Sequence, residues 1–409
     1  MYTLVFVFFL SYPSFILSIP SWTAPKGDPN KPVGGWSFVK NATYSIVYNA
    51  TPALGTYNHA AMITYGAEAN DPPLFTLSWK NSPVNEDSPG QRILYSQSFD
   101  GLTWTPTDGH NILFPNMSTN SNPAALFAEP FLYINGRLYG AASPTQFCLY
   151  PDQYQDVLLL RRIYTNSTHM LGPIFWATSP APSKFAEASQ LNNILDISQM
   201  DTITQQDIAL LTPSSSYVPC IVPNNSSIKC EVCSTGCQSW KDYTLGNERT
   251  HYTVPNNGSN DPTSTHDILL YRSNKDPYLY ASERTKPGSD SWGSIKATDI
   301  PNDTANINAG SLPDGRRYLL SNAMPYKIRD PLTIATSKDG FAWDTCKVAM
   351  SCTALPGDKC GPTYPGNSKN PGPSYPQGVV VPSMNAIFVV ATNNKENVWV
   401  GKLPLDELS

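Results

Sequence analysis

The seven-residue stretch Ser98-Phe-Asp100-Gly101-Leu-Thr-Trp104 returns near the other end of the chain as Ser337-Lys-Asp339-Gly340-Phe-Ala-Trp343. Its parts suit one structure, a tight β-turn. The hydroxyl and carboxylate can bond turn N–H groups, glycine accepts a positive φ, and the indole packs beneath the hairpin. Two copies of one hairpin tip call for repeated antiparallel strand pairs, and so for an all-β fold.

Composition agrees with this. The 409 residues include 38 Pro, 25 Gly, 22 Tyr and 9 Trp, and stretches of helical periodicity are rare, as expected of short strands joined by turns. With a net charge of −5 and no run of Arg or Lys, nucleic acid is not an expected partner. Leu4–Leu10 is apolar and Ser and Pro follow it. The run is too short for a membrane span, which needs ~20 apolar residues. It reads as a signal peptide, residues 1–19, cut near Ser18 or Pro20. The rest, 20–409, is expected to be one secreted extracellular domain, a monomer with no membrane partner.

Asn-x-Ser/Thr acceptors at Asn41, Asn49, Asn116, Asn166, Asn224, Asn225, Asn257 and Asn302 fit a chain that passes through a glycosylating compartment. The eight cysteines are Cys148, Cys220, Cys230, Cys233, Cys237, Cys346, Cys352 and Cys360. An even number in a secreted chain favours disulfides. Cys230-x-x-Cys233 has zinc-like spacing, but no His lies among its neighbours, so no metal is expected. Nothing signals a cofactor.

The repeated stretch resembles the Asp-box of sialidase-like β-propellers, which implies blades of four strands, innermost first, with the boxes on the turns between third and fourth strands. The first runs from Tyr57 to Trp104, with strands Ala60–Tyr65, Leu74–Trp79 and Arg92–Gln97. The second holds Phe131–Ile134, Arg137–Ala142, Asp156–Tyr164 and Ile174–Trp176. The third is the least regular, with a short helix in Ser183–Gln206 and strands Ser216–Val222 and Ser227–Val232. The fourth starts with Asp267–Tyr271 and Pro277–Ala281. The fifth holds Arg316–Ser321 and Leu332–Thr336, and the sixth Gly378–Val381, Ala386–Ala391 and Asn397–Lys402. The sixth lacks a last strand, which Trp36–Val47 can supply, closing the ring. The count is six blades, or seven if Phe185–Trp240 hides two.

In this scheme the polar clusters fall in loops opposite the boxes, forming a cup. His59, Glu86, Asp87, Glu129, Asp330 and Tyr375 are candidate catalytic groups. Trp79, Arg92, Glu283, Arg284, Arg329, Lys395 and Glu396 are candidate substrate-binding groups. Carboxylates with Arg and Tyr suit glycan chemistry. One group protonates a leaving oxygen, another acts as base or nucleophile, and Arg grips an anionic sugar through paired hydrogen bonds.

The repeated stretch resembles the Asp-box of sialidase-like β-propellers of the BNR-repeat type. So do Asn85-Glu-Asp-Ser-Pro-Gly-Gln-Arg92, Leu312-Pro-Asp-Gly-Arg316, Arg329-Asp-Pro-Leu332 and Asn394-Lys-Glu396. The resemblance implies a six- or seven-bladed propeller and an exo-acting glycosidase of glycans. Sialidases use three Arg, a Tyr–Glu nucleophile pair and an Asp acid/base. Their first Arg lies in an Arg-Ile-Pro motif, and Trp36–Thr43 has none, which sets sialic acid in question. Two alternatives remain. One is a lyase of uronate-containing glycans with His59 or Tyr375 as base, the other a propeller that binds glycans without turning them over.

Overall fold

The structure, a computed structural model, describes residues 22–68, 71–120, 124–146, 158–165, 170–209, 245–255, 265–284, 292–324 and 328–409. Strand β1 (Thr43–Tyr48) precedes a first antiparallel sheet of β2 (Tyr57–Gly66), β3 (Leu74–Ser82), β4 (Arg92–Ser98) and β5 (Ile112–Phe114). The second sheet is β6 (Ala124–Ile134), β7 (Arg137–Gln146), β8 (Leu159–Ile163) and β9 (Leu171–Trp176). Helix α1 (Ala186–Leu191) follows, then β10 (Leu195–Asp196), which adds a parallel edge to that sheet, and helix α2 (Thr202–Ala209). The third sheet is β11 (Leu245–Pro255), β12 (Thr265–Ser273), β13 (Tyr278–Arg284) and β14 (Lys296–Pro301). The fourth is β15 (Asn308–Ser311), β16 (Arg317–Ser321), β17 (Leu332–Ser337) and β18 (Thr345–Met350). The fifth is β19 (Pro373–Val381), β20 (Ala386–Asn393) and β21 (Asn397–Pro404), with β1 as its outer strand.

The arrangement is propeller-like because successive sheets share their apolar faces. Ile93 and Phe114 of the first sheet pack with Leu126, Leu138 and Trp176 of the second. Phe75, Leu77 and Trp79 of the first pack with Phe388, Val390 and Val400 of the fifth. Leu320 and Ile334 meet Ile387 and Trp399, and Tyr252 and Ile268 meet Leu319 and Trp343. Each face is apolar on both sides of its sheet, so no sheet could be stable alone.

Both boxes lie between the third and fourth strands of their sheets, as the sequence predicts, and their bonding is the same. Ser98 Oγ accepts from Gly101 N at 2.8 Å, and Asp100 Oδ1 accepts from Leu102 N and Thr103 N at 2.8 and 2.6 Å. Ser337 Oγ accepts from Gly340 N at 2.8 Å, and Asp339 Oδ1 accepts from Phe341 N and Ala342 N at 2.7 and 2.9 Å. Burial pushes the Asp100 carboxyl up, but the N–H groups of Thr103 and Leu102 and the hydroxyls of Thr103 and Ser98 outweigh it and hold it at about 2.

The N-terminal strand pairs as expected, Thr43 opposite Lys402 and Ile46 opposite Trp399. The helix expected within Ser183–Gln206 is present as α1 and the start of α2. Ser216–Val222 and Ser227–Val232 lie outside the described residues, as do the signal peptide and Cys148, Cys220, Cys230, Cys233 and Cys237. One strand count is corrected. Asp267–Tyr271 is not innermost in its sheet, because β11 precedes it. Thr250, Tyr252 and Val254 of β11 are buried in alternation with Arg249, His251 and Thr253, and those polar partners masked the strand.

Two further expectations change. Asn302 is buried and donates through its side chain to the Ala305 carbonyl at 2.8 Å, so it is no glycan acceptor in the folded chain. Cys352 and Cys360 form a disulfide, but Cys346 carries a free thiol, which burial pushes up to about 12.

Candidate functional site

At the strand ends opposite the boxes, four of the five sheets contribute to one buried polar cluster, and the second sets an aromatic ring against it. Tyr57 and His59 come from the start of β2, Lys80 from the end of β3, and Glu86 and Asp87 from the loop between β3 and β4. Phe127 of β6 stands 4.3 Å from Lys80 Nζ. Arg272 comes from the end of β12, Asp303 from just before β15, and Arg329 from the loop before β17. Tyr375 lies on β19 and Lys395 between β20 and β21. Two bulges aim the aromatic members. The β2–β3 register shifts between His59 and Met62, and the β19–β20 register between Ser374 and Gln377. Ala60, Asp87, Tyr375, Asn394 and Lys395 all have positive φ, from 47° to 58°. Non-glycine residues hold that conformation at a cost, and it clusters where side chains must be aimed.

Glu86 is the hub of one half. Its Oε1 accepts from Lys80 Nζ at 3.3 Å and its Oε2 from Lys395 Nζ at 3.0 Å, while Lys80 also reaches Asp87 Oδ1 at 3.0 Å. His59 Nε2 lies 3.8 Å from Glu86, beyond hydrogen-bond reach, and finds no other partner. The Tyr57 hydroxyl also makes no hydrogen bond of good geometry. Tyr375 is the hub of the other half. Its hydroxyl accepts from Arg272 Nη1 at 2.6 Å. Arg329 lies 5.4 Å and Lys395 5.7 Å from its ring centroid, and its ring is 3.9 Å from that of His59. Arg329 Nε approaches Asp303 at 3.7 Å.

This packing sets the protonation states. Burial raises the Glu86 pKa, but the Lys80 and Lys395 ammonium groups outweigh it and hold Glu86 well below the usual carboxylate range, so it stays ionised. Burial lowers Lys80, and Asp87 and Glu86 more than restore it. Burial, aided by Lys395, Lys80 and Arg329 against Glu86, keeps His59 well below its ordinary value and neutral. Burial, then Glu86, holds Tyr57 well above 10 and protonated. Lys395 falls to about 8, lowered by burial, Arg329 and Lys80 and supported by Glu86.

Of the residues predicted from sequence, His59, Glu86, Asp87, Arg329, Tyr375 and Lys395 are brought together. The others serve elsewhere. Trp79 is fully buried and donates to Asn58 Oδ1 at 3.1 Å, so it is core and offers no stacking face. Arg92 turns away to Asn81 Oδ1 at 3.0 Å and the Leu54 carbonyl at 3.4 Å. The Glu129 carboxylate accepts from Ser143 Oγ within the second sheet, at 2.5 Å. Asp330 holds Ser351 Oγ and Cys352 N at 3.1 and 2.9 Å, fastening the disulfide loop. Glu396 accepts from Thr363 N, Tyr364 N and Lys369 Nζ, at 2.8, 2.7 and 2.8 Å, fastening the segment before β19. The corrected strand count puts Glu283 and Arg284 at the far end of the third sheet, where Arg284 grips Asp267 Oδ2 at 2.8 and 2.6 Å. The same count delivers Arg272, which the sequence reading missed. Lys80, Tyr57 and Asp303 were also missed. Lys80 looked like the first residue of a polar loop, and Asp303 lay inside a glycosylation motif.

A family model for the BNR repeat-like domain matches residues 174–383, just over half of the chain. The chain belongs to the BNR repeat-like domain family. No curated protein sequence matches it. Among solved structures, this BNR repeat-like chain is similar to one described as a sialidase, at 19% identity and a TM-score of 0.68, covering 95% of this chain and 35% of that one. It thus spans about a third of that sialidase's length. A leech intramolecular trans-sialidase matches at 9% identity and a TM-score of 0.49, covering 92% of this chain and 71% of that one. A mutant Trypanosoma rangeli sialidase with trans-sialidase activity matches at 9% and 0.48, covering 91% and 60%. At 19% identity the likeness to the first of these speaks for the fold alone, and the chemistry rests on the residues.

Proposed function

We propose that this protein is a secreted, carbohydrate-active enzyme, an exo-acting glycosidase of acidic glycans. The five sheets are read as blades of a closed six-bladed propeller, with residues 20–409 as one domain. One observation carries the reading: Glu86, wedged between Lys80 and Lys395, shares one buried cluster with a tyrosine flanked by Arg272 and Arg329. Among the described residues, four buried cations stand against Glu86, Asp87 and Asp303, a balance that an anionic sugar would suit. Arg272 and Arg329 can hold its carboxylate. Glu86 can stabilise the positive charge that develops at the anomeric carbon as the glycosidic bond breaks.

The test is a screen of the purified protein against chromogenic glycosides and acidic polysaccharides. Release of a terminal acidic sugar, abolished in Glu86→Gln, supports the reading. Binding without turnover by the wild-type protein would replace it with a glycan-binding role.

A second reading rests on His59. Its neutral imidazole, with Nε2 unbonded and its ring against Tyr375, is suited to taking the proton beside a uronate carboxyl, as a lyase requires. Appearance of an unsaturated uronate on digestion would favour it over hydrolysis.

A further inference from the structure

Glycoside hydrolysis needs a proton donor for the departing oxygen, and the usual carboxylic acid is missing among the described residues of this cluster. Glu86 cannot supply one, because two ammonium groups keep it ionised. Asp87 is bound by Lys80 and Asp303 faces Arg329. His59 is neutral and Tyr57 is enclosed. The Tyr375 hydroxyl is tied to Arg272, whose guanidinium donates to it.

We propose that Lys395 is the general acid of this site, giving an ammonium proton to the glycosidic oxygen. This deepens the glycosidase reading and rests on it. The placement is specific. Lys395 stands at a hairpin tip with φ 54°, and the residues on either side clamp that tip. Asn394 Nδ2 donates to the Lys359 and Gly361 carbonyls at 2.8 and 3.0 Å, and Asn394 Oδ1 accepts from Gly361 N and Gly372 N at 3.1 and 3.0 Å. Glu396 anchors Thr363, Tyr364 and Lys369. With both neighbours fixed, the lysine chain projects between the Tyr57 and Tyr375 rings, 5.7 Å from each centroid, and bonds Glu86.

The charged and titratable groups facing it are Glu86, Lys80 and Tyr57 of the first sheet with His59, Arg329 of the fourth, and Tyr375 of its own. Burial beside Arg329 and Lys80 brings the ammonium to about 8, near the pH at which it must give up a proton. In the step, one N–H bond breaks as the bond between the anomeric carbon and the glycosidic oxygen breaks. The electron pair stays on the departing oxygen, which leaves as an alcohol, and Lys395 becomes a neutral amine. The water that enters at the anomeric carbon returns a proton to that amine. Hydrolysis is complete and no other reactant is needed.

The test compares a glucuronide and a sialoside, each as a 2,4-dinitrophenyl and a methyl glycoside, with wild-type protein, Lys395→Met and Lys395→Arg. A dinitrophenolate leaves without protonation and methanol does not. The proposal expects Lys395→Met to lose at least about 100-fold in kcat/KM on the methyl glycoside and far less on its dinitrophenyl partner, and expects the wild-type rate to fall above about pH 8. Equal losses on both leaving groups overturn the proposal and leave the glycosidase reading standing. Wild-type inactivity on all four overturns the glycosidase reading and this proposal with it. A separate measurement needs no turnover: acetic anhydride labelling followed by mass spectrometry, with half-maximal modification of Lys395 expected near about pH 8. Failure to label Lys395 overturns the proposal, because an amine that no small electrophile reaches cannot protonate a glycan oxygen.

Discussion

Lys395 Nζ and Glu86 Oε2 meet at 3.0 Å although 309 residues separate them in sequence. The bond joins the loop between β20 and β21 to the loop between β3 and β4. These loops belong to the two sheets whose apolar faces meet around Phe75 and Phe388, with ring centroids 4.4 Å apart. The reactive end of the site is therefore assembled only when the first and fifth sheets have docked.

Glu86→Gln leaves two buried ammonium groups short of a counter-charge. Removing one member of a buried ion pair costs about 3–5 kcal/mol, and urea unfolding should show a loss of that order. Adding Lys395→Met removes one of the stranded charges and should recover part of it. Strict additivity of the two changes would show that they are not coupled.

Arg272→Gln removes the donor to the Tyr375 hydroxyl. Charge-assisted bonds to a carboxylate are about twice as strong as neutral ones, so KM for an acidic substrate should rise by about 10- to 100-fold, equivalent to ~1.4–2.7 kcal/mol. A neutral analogue should be less affected. Initial-rate kinetics on the matched pair measure the difference.

Gly101→Ala tests the box. Gly101 has φ 73°, and a Cβ there would come within 2.3 Å of the Phe388 ring. Gly136 has φ 74° with open space around it. Strain alone costs ~1–2 kcal/mol, so Gly136→Ala should lose about that much. Gly101→Ala should lose more, by about 1–3 kcal/mol of overpacking. Thermal unfolding of the pair separates the two contributions.

His59 predicts a pH dependence of stability. Its folded pKa is lowered, by burial first and then by Lys395, so the unfolded state takes up a proton that the folded state refuses. The stabilisation is complete above the unfolded value of about 6.5 and is lost as pH falls below it. His59→Gln should flatten the fall in ΔG by up to ~1.4 kcal/mol per pH unit below that point, as followed by urea unfolding at several pH values.

The repeated turn was legible because its four key residues act within a few positions of one another. Serine, aspartate, glycine and tryptophan meet the same local needs in both copies. The loops carrying Glu86, Arg329 and Lys395 were legible for a related reason: once the turn fixes one end of a sheet, strand alternation fixes the other. Arg272 was hidden because β11 alternates Tyr252 and Val254 with Arg249 and His251, and one uncounted strand exchanges the ends of the whole sheet. That single slip also promoted Glu283 and Arg284. Trp79, Arg92 and Asp330 were misjudged because a side chain's direction depends on tertiary partners, here Asn58, Asn81 and Cys352, which spacing does not reveal.

The pairing of β1 with β21 has a mechanical consequence. The strands run antiparallel with Thr43 opposite Lys402, so the segments leading away from the two strands emerge side by side. Tension between them would peel the ladder open one bond at a time from that corner instead of shearing it along its length. Antiparallel seams opened in this manner yield at low force. Opening of this seam would expose the flank of the sheet that carries Lys395.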